Sequence, residues 1–286
     1  MKIRQINAMS IDVEDYFQVS AFEPYVAKNQ WDNLPHRVEN NTYKILDILG
    51  DKQIKATFFT LGWIAERYPS IVKRIVSDGH ELACHGYEHI RVTEQTPDQF
   101  RSDVYKAKNI LEELSGKEIK GYRAASYSIG ASNLWALNVL QELGFKYSSS
   151  IYPVKHDLYG MPEAPRFIFE PIQNFDFKEI PITTIRLGHK NWPCGGGGFF
   201  RFYPYALSKW ALNRVNQQEQ QSAIFYFHPW EIDSKQPRQK GLSIKTRTRH
   251  YLNLHKMEAR LEQLLTDFNW DTMENVFHIN QGQNHD

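Results

Sequence analysis

At 286 residues the chain has room for one large domain or two small ones, with an ordinary apolar fraction of 41% for a core. A formal net charge of +1, with no long basic run, gives nucleic acid binding no electrostatic support. Cys84 and Cys194 make no disulfide framework, and no run approaches the roughly 20 apolar residues of a membrane helix. The opening Met1–Asn7 lacks the apolar core of a signal peptide, so the expected location is cytoplasmic, without membrane insertion.

Residues 6–11 read as a short buried strand, which leads into Asp12-Val13-Glu14-Asp15. A helix is expected over 38–49, stopped at Gly50, followed by a β-rich strand at 54–60. Residues 62–78 are mostly helical, with Pro69 at a break or new start and Gly79 at the end. A strand at 81–84 delivers His85. From Pro97 to about Ser115, Phe100, Val104, Ala107, Ile110, Leu111 and Leu114 recur at helical spacing. A strand at 119–125, a helix at 132–143 capped by Ser132 and stopped by Gly144, and a strand at 145–149 follow.

Between 150 and 200 the pattern loosens under six prolines and the run Gly195 to Gly198. A phosphate-loop reading fails there, since no lysine follows in place; a tightly turned loop near the site is expected instead. Residues 204–218 return to helix, 223–227 form an apolar strand ending at His228, and 245–268 read as one basic-then-amphipathic helix. The alternation argues for an α/β barrel or open parallel sheet. A single domain spans 1–286, with a core over about 6–235 and a helical extension over about 243–270.

Three acids in four residues at a strand end require a cationic neutraliser if buried. His85 and His89, at the exit of another strand, supply two imidazoles from one short segment. Two histidines and a carboxylate suit a hydrolytic metal centre with open positions. Asp12, His85, Arg123 and His228 each follow an expected strand, and in parallel α/β architectures those ends share one face. Asp12 and Glu14 share a strand face, whereas Asp15 is free to cap the following segment. Small apolar neighbours make Arg123 an odd surface residue and point to a carboxylate partner such as Asp12. Pro229-Trp230 after His228 suggests a rigid aromatic-walled loop. Cys84 reads as a small buried thiol.

This combination resembles the polysaccharide deacetylase family, also called the NodB-homology or carbohydrate esterase family 4 group. The resemblance covers about residues 6–235 and implies an irregular (β/α) barrel of the NodB type. It implies Asp12 as catalytic base, Glu14, His85 and His89 as ligands of one divalent metal, expected to be zinc, and His228 as catalytic acid. Its arginine motif matches Tyr122-Arg123-Ala124-Ala125-Ser126-Tyr127, which makes Arg123 the partner of the base. Ser126, Tyr127, Tyr87 and Trp230 are the expected substrate contacts. The implied reaction is removal of N-acetyl groups from a glycan. The opening Asp-Val-Glu-Asp-Tyr-Phe and the Gly-Gly-Gly-Phe-Phe-Arg run are similar to deacetylases associated with bacterial exopolysaccharide and exosortase gene clusters.

The chain departs from the family pattern at three places. Glu14 and Asp15 compete for the ligand role. Ala125 replaces a proline. The strand Lys146-Tyr147-Ser148-Ser149-Ser150 lacks the aspartate that orients the acid histidine, and Glu231 or Asp233 are the nearby candidates. Three rival readings remain. His85-Gly86-Tyr87-Glu88-His89 fits the H-x-x-E-H pattern of inverted zinc peptidases, which requires a helix. Relatives on the same fold open cyclic amides or ureides. A non-catalytic carbohydrate-binding protein would need neither Asp12 nor His228.

Overall fold

The first strand, β1 (Ile6–Val13), sets the architecture. Its side chains alternate between two environments, as a pleated strand requires. Met9, Ile11 and Val13 enter the main apolar cluster beneath the helices. Ala8 enters a second cluster on the opposite face, and Ser10 and Asp12 share its parity. The computed structural model describes residues 5–156 and 159–279.

Next to β1 lie β2 (Thr57–Thr60), β3 (Glu81–Cys84), β4 (Gly121–Tyr122), β5 (Tyr147–Ser148) and β6 (Lys178–Glu179), each parallel to the one before. A separate antiparallel hairpin joins β7 (Thr184–Leu187) and β8 (Lys190–Pro193). The sheet resumes with β9 (Ile224–Phe227), which pairs with β1 from Ala8↔Ile224 to Ile11↔Phe227. Finally β10 (Asn269–Asp271) pairs with the start of β1. The result is a curled, all-parallel half-barrel in a mixed α/β fold.

Helices cover the outer face: α1 (Val38–Asp51), α2 (Gly62–Arg67), α3 (Pro69–Ser77), α4 (Pro97–Ser115) and α5 (Trp135–Glu142). Pro69 opens α3 where its missing N–H costs nothing. Thr96 and Gln99 satisfy each other's backbone donors at the start of α4, and Gly116 ends it in the left-handed region at φ 65°. The second half contributes α6 (Gly197–Phe202), α7 (Tyr205–Asn213), α8 (Ile244–Tyr251), α9 (Leu254–Asp267) and α10 (Met273–Val276). Among the described residues no helix is long and apolar enough to cross a membrane.

Several expected boundaries move. The strand expected at 119–125 keeps only Gly121–Tyr122; from Ala125 the chain is a short turn in which Ser126 and Tyr127 adopt positive φ of 52° and 51°. Gly50 does not stop α1, which runs on to Asp51. Ser132 is not the cap of α5; Asn133 shapes that turn by accepting from the Gly130 N–H at 2.8 Å. The expected single helix over 245–268 is two helices, broken at Leu252-Asn253, where Asn253 has φ 53°. The carbonyls of His250 and Leu252 there accept from the Arg201 guanidinium rather than continuing a ladder. The final residues of the expected helical extension form β10, so the sheet draws on both ends of the chain.

Asp15 shows how the acidic run is sorted. Its carboxylate accepts from the backbone N–H groups of Tyr16 at 2.8 Å, Arg37 at 2.7 Å and Val38 at 3.0 Å. It therefore caps the distant start of α1, where the helix dipole favours an anion. Asp15→Ala should destabilise the fold by about 1–3 kcal/mol, the range for lost caps and charge-assisted bonds. Urea unfolding of the two proteins measures this.

Candidate active site

The two-residue period of the strands continues past their ends. Ala8, Phe59, Ala83, Tyr147, Ile224 and Tyr226 line the inner face of the half-barrel. On the same parity, one step further, come Asp12, His85, Arg123, Ser149 and His228. The sheet is parallel, so all five meet at one rim. A cavity of about 200 Å³ opens there, lined by Asp12, Glu14, His85, His89, Tyr127 and His228 among others.

Arg123 lies at the bottom of the site with no solvent exposure. Its Nη1 donates to Asp12 Oδ1 at 2.6 Å and to Ser10 Oγ at 2.9 Å. Its Nε and Nη2 donate to the carbonyl and hydroxyl of Ser149 at 3.2 and 3.1 Å. The serine strand that lacks an aspartate is thus the seat of this guanidinium. Burial alone would raise the Asp12 pKa, but the charges of Arg123, His85 and His228 outweigh it and hold it below the usual carboxylate value. Asp12 stays ionised, with Oδ2 facing the cavity beside the Tyr127 hydroxyl at 3.3 Å.

Glu14, His85 and His89 each bring a donor atom within 4.8 Å of the others, and all three side chains are buried. His85 Nδ1 lies 2.8 Å from the Arg123 carbonyl, which fixes the proton on Nδ1 and leaves the Nε2 lone pair for the cavity. His89 Nε2 lies 3.1 Å from Glu14 Oε2. Glu14 Oε2 and His89 Nδ1 are buried without a hydrogen-bond partner. Burial, reinforced by the Asp12 charge, pushes Glu14 up to about 7 against the pull of His228. Burial also pushes both histidines down, His89 well below its ordinary value. Neutral imidazoles and a buried carboxylate oxygen left without a hydrogen-bond partner fit a divalent cation. Asp15, fully engaged at α1, is not in this donor set.

His228 closes the other side. Its Nε2 lies 3.3 Å from Glu14 Oε1 and 3.9 Å from Asp12 Oδ2. Its Nδ1 is 2.8 Å from Glu231 Oε1. Of the two acids near His228 in sequence, Glu231 is therefore the partner; Asp233 pairs with Arg37 at 2.8 Å. Burial lowers the His228 pKa, but Glu14 and Glu231 more than compensate and raise it to about 9. Glu231 is itself held by Arg201, whose Nε donates at 2.6 Å. Against the burial that would raise it, Arg201 and His228 bring Glu231 down to about 2.

This relay explains the glycine run. A Cβ on Gly197 would sit 2.2 Å from Glu231 Oε1, and one on Gly196 would sit 2.5 Å from the Tyr226 ring. A Cβ on Gly195 would sit 2.5 Å from the Ile224 carbonyl. The run lets a backbone lie directly against β9 and the relay. Arg201 escaped the sequence reading because it follows this run. The signal was present: a lone arginine after Gly-Gly-Gly-Phe-Phe has the same apolar flanks that singled out Arg123.

The expected substrate contacts divide. Ser126 and Tyr127 line the cavity; the Tyr127 N–H is already donated to the Ala124 carbonyl at 3.0 Å. Trp230 also lines it but is buried, stacked on His228 and on His250, with ring centroids 5.2 and 4.2 Å away. It is a wall that orients the His228 ring. Tyr87 is not in the cavity: its hydroxyl donates to Glu66 at 2.6 Å and Lys106 covers its ring. Residues 85–89 form a turn with Gly86 at φ 79° and His89 at φ 54°, which removes the inverted zinc-peptidase reading.

Residues 26–148 match the family model for polysaccharide deacetylase, and residues 149–278 match a domain of unknown function, DUF3473. The first half of the chain is thus similar to the polysaccharide deacetylases. A peptidoglycan deacetylase-like protein of Gibberella zeae is 35% identical over 143 residues, covering 50% of this chain and 40% of the relative. A peptidoglycan-N-acetylglucosamine deacetylase of Bacillus cereus is 44% identical over 75 residues, 26% of this chain and 27% of the relative. A chitooligosaccharide deacetylase of Azorhizobium caulinodans is 28% identical over 116 residues, 41% and 53% respectively. The chain thus spans about half or less of the length of these relatives. A Mycobacterium smegmatis structure designated a polysaccharide deacetylase superposes with TM-score 0.63 over 98% of this chain and 92% of its own, at 18% identity. That likeness establishes the NodB-type fold.

The Glu231 charge raises the His228 pKa, so neutralising it must lower it. In the metal-free protein, the His228 ring followed by NMR should titrate at lower pH in Glu231→Gln than in the unmodified chain. Gly197→Ala, which displaces the same carboxylate, should shift it in the same direction. An unchanged titration in both variants would show that the 2.8 Å contact does not govern the ring.

Proposed function

We propose that this protein hydrolyses N-acetyl groups on the amino sugars of a bacterial polysaccharide. One observation carries the reading: Asp12 and His228 flank a buried Glu14, His85 and His89 donor set, with Asp12 Oδ2 only 3.9 Å from His228 Nε2. A binding module needs neither a base nor an acid, and both are held here by dedicated buried partners. The deacetylase relatives support the same reaction class. The opening Asp-Val-Glu-Asp-Tyr-Phe and the Gly-Gly-Gly-Phe-Phe-Arg run support an exopolysaccharide as the polymer.

Glu14, His85 and His89 would hold one divalent cation, and zinc suits two imidazoles and a carboxylate. Bound there, it would polarise the acetamide carbonyl and lower the pKa of a water. The chain's own groups do the rest. Arg123 occupies Asp12 Oδ1, so Oδ2 is the oxygen that takes the proton from the attacking water. The N–H of Ser126, held at the rim by its left-handed backbone, is our choice for an oxyanion donor. His228 presents Nε2–H to the departing nitrogen, while Glu231 retains the proton on Nδ1. The amine leaves protonated as the carbon–nitrogen bond breaks, giving acetate and a free amino sugar.

The purified protein should bind about one divalent ion per chain, measured by elemental analysis, and release acetate from N-acetylglucosamine oligomers. His85→Ala with His89→Ala should remove the ion; full occupancy in that double variant would defeat the ligand assignment.

Asp12→Asn and His228→Ala should each lower turnover by about 10²–10⁴-fold while keeping the fold. An activated aryl acetate needs little protonation of its leaving group. It should therefore restore rate to His228→Ala far better than to Asp12→Asn. Equal restoration would contradict the division of roles.

A further inference from the structure

Beside the catalytic cavity lies a larger cleft of about 980 Å³, walled by residues 153–156 and 162–167, the β7–β8 hairpin and the start of α6. Its volume is at the upper end of the range of about 300–1,000 Å³ for ligand sites, which is room for several sugar rings. The two cavities adjoin. Tyr159 lines the catalytic one and stacks at 4.0 Å on His156, which lines the cleft. Gly198 and Phe199, consecutive in the chain, likewise line one each.

The cleft wall is basic. Lys155, Arg186 and Lys190 line it with exposed side chains, and His189 adds an imidazole. Among the described lining residues Glu163 is the single acid. The lining Arg166 is already paired with Glu219 at 2.7 Å, so that carboxylate is taken. Trp192 rises among them with 47% of its surface exposed. The hairpin that carries Arg186, Lys190 and Trp192 is tied to the opposite wall, where Asn191 donates to the Pro153 carbonyl at 2.9 Å. The cleft thus presents an exposed indole beside three cations, in a chain whose net charge is only +1.

We propose that this cleft binds an acidic, uronate-type stretch of the glycan whose acetylated residue lies over Asp12 and His228. An exposed indole stacks on the apolar face of a sugar ring, and arginine and lysine supply charge-assisted bonds to ring carboxylates. Continuity with the reaction site favours one polymer threading both cavities. The inference rests on the deacetylase reading only for that continuity; the ligand chemistry comes from the cleft itself.

The test is calorimetric binding of oligogalacturonate and of its neutral methyl ester to the full chain. Oligogalacturonate should bind at least about tenfold more tightly than the ester, with affinity falling as salt rises. Arg186→Glu with Lys190→Glu should lose at least about tenfold of that affinity, and Trp192→Ala should weaken both ligands. Thermal melting of each variant should match the unmodified chain, since these side chains are exposed. Equal binding of acid and ester, or no loss in the charge-reversal variant, would overturn the proposal. So would equally tight binding of a single-stranded oligonucleotide, which would mark a general polyanion surface. Acetate release from N-acetylglucosamine oligomers is scored separately. Acetate release without uronate binding removes only the cleft assignment. Uronate binding without acetate release supports the cleft and removes the reaction.

Discussion

The buried ion pair between Arg123 and Asp12 is the contact on which the rest of the site depends. A guanidinium with no solvent exposure is costly to desolvate unless every donor finds an acceptor. Here β1 supplies Asp12 and Ser10, and the end of β5 supplies Ser149. Phe59 of β2 lies 4.0 Å beneath the guanidinium, and Met273 of α10 adds its sulfur at 3.8 Å. The pair therefore ties several elements to one point. It also decides which oxygen of Asp12 is available to the cavity, and the Arg123 carbonyl sets the tautomer of His85. One residue orients both the carboxylate and one of the metal-type donors.

A second, separate constraint governs His228. The relay from Arg201 through Glu231 runs through residues in the second half of the chain, outside the 26–148 segment that matches the deacetylase model. Where the family pattern would place an aspartate on the fifth strand, this chain has serines that serve Arg123 instead. In this chain the histidine's partner lies in the loop that follows the histidine itself. Gly197 leaves the space that the Glu231 carboxylate fills.

The rim of the site was legible in the sequence because strands have a period of two and parallel strands end on one face. Asp12, His85, Arg123 and His228 could be placed together without knowing the sheet order. The sorting of Glu14 from Asp15 followed from the same parity. Short-range patterns failed where tertiary contacts decide the backbone. The strand after Ile119 is cut short ahead of a turn in which Ser126 and Tyr127 take left-handed conformations, which no propensity signals. The helix over 245–268 breaks where its carbonyls are taken by Arg201, a partner about fifty residues away. Strand β10 has three residues, too few to show a period. Tyr87 was misjudged because proximity in sequence to His85 and His89 does not survive a turn through Gly86.

The pairing of β1 with β9 and β10 has a kinetic consequence. Ile6 sits beside Asn269, and Ala8 beside Ile224, so the central strand completes its neighbours only with residues from the far end of the chain. Closing such loops costs entropy before any contact rewards it, which slows folding. During synthesis β1 emerges long before β9 and β10 and must wait for them before its second edge is covered. Until then it presents an open edge of buried-type residues. The acidic rim at its end gains its arginine and histidine partners only in later steps. Assembly of the catalytic groups is thus a late event in the life of each molecule, coupled to closure of the half-barrel.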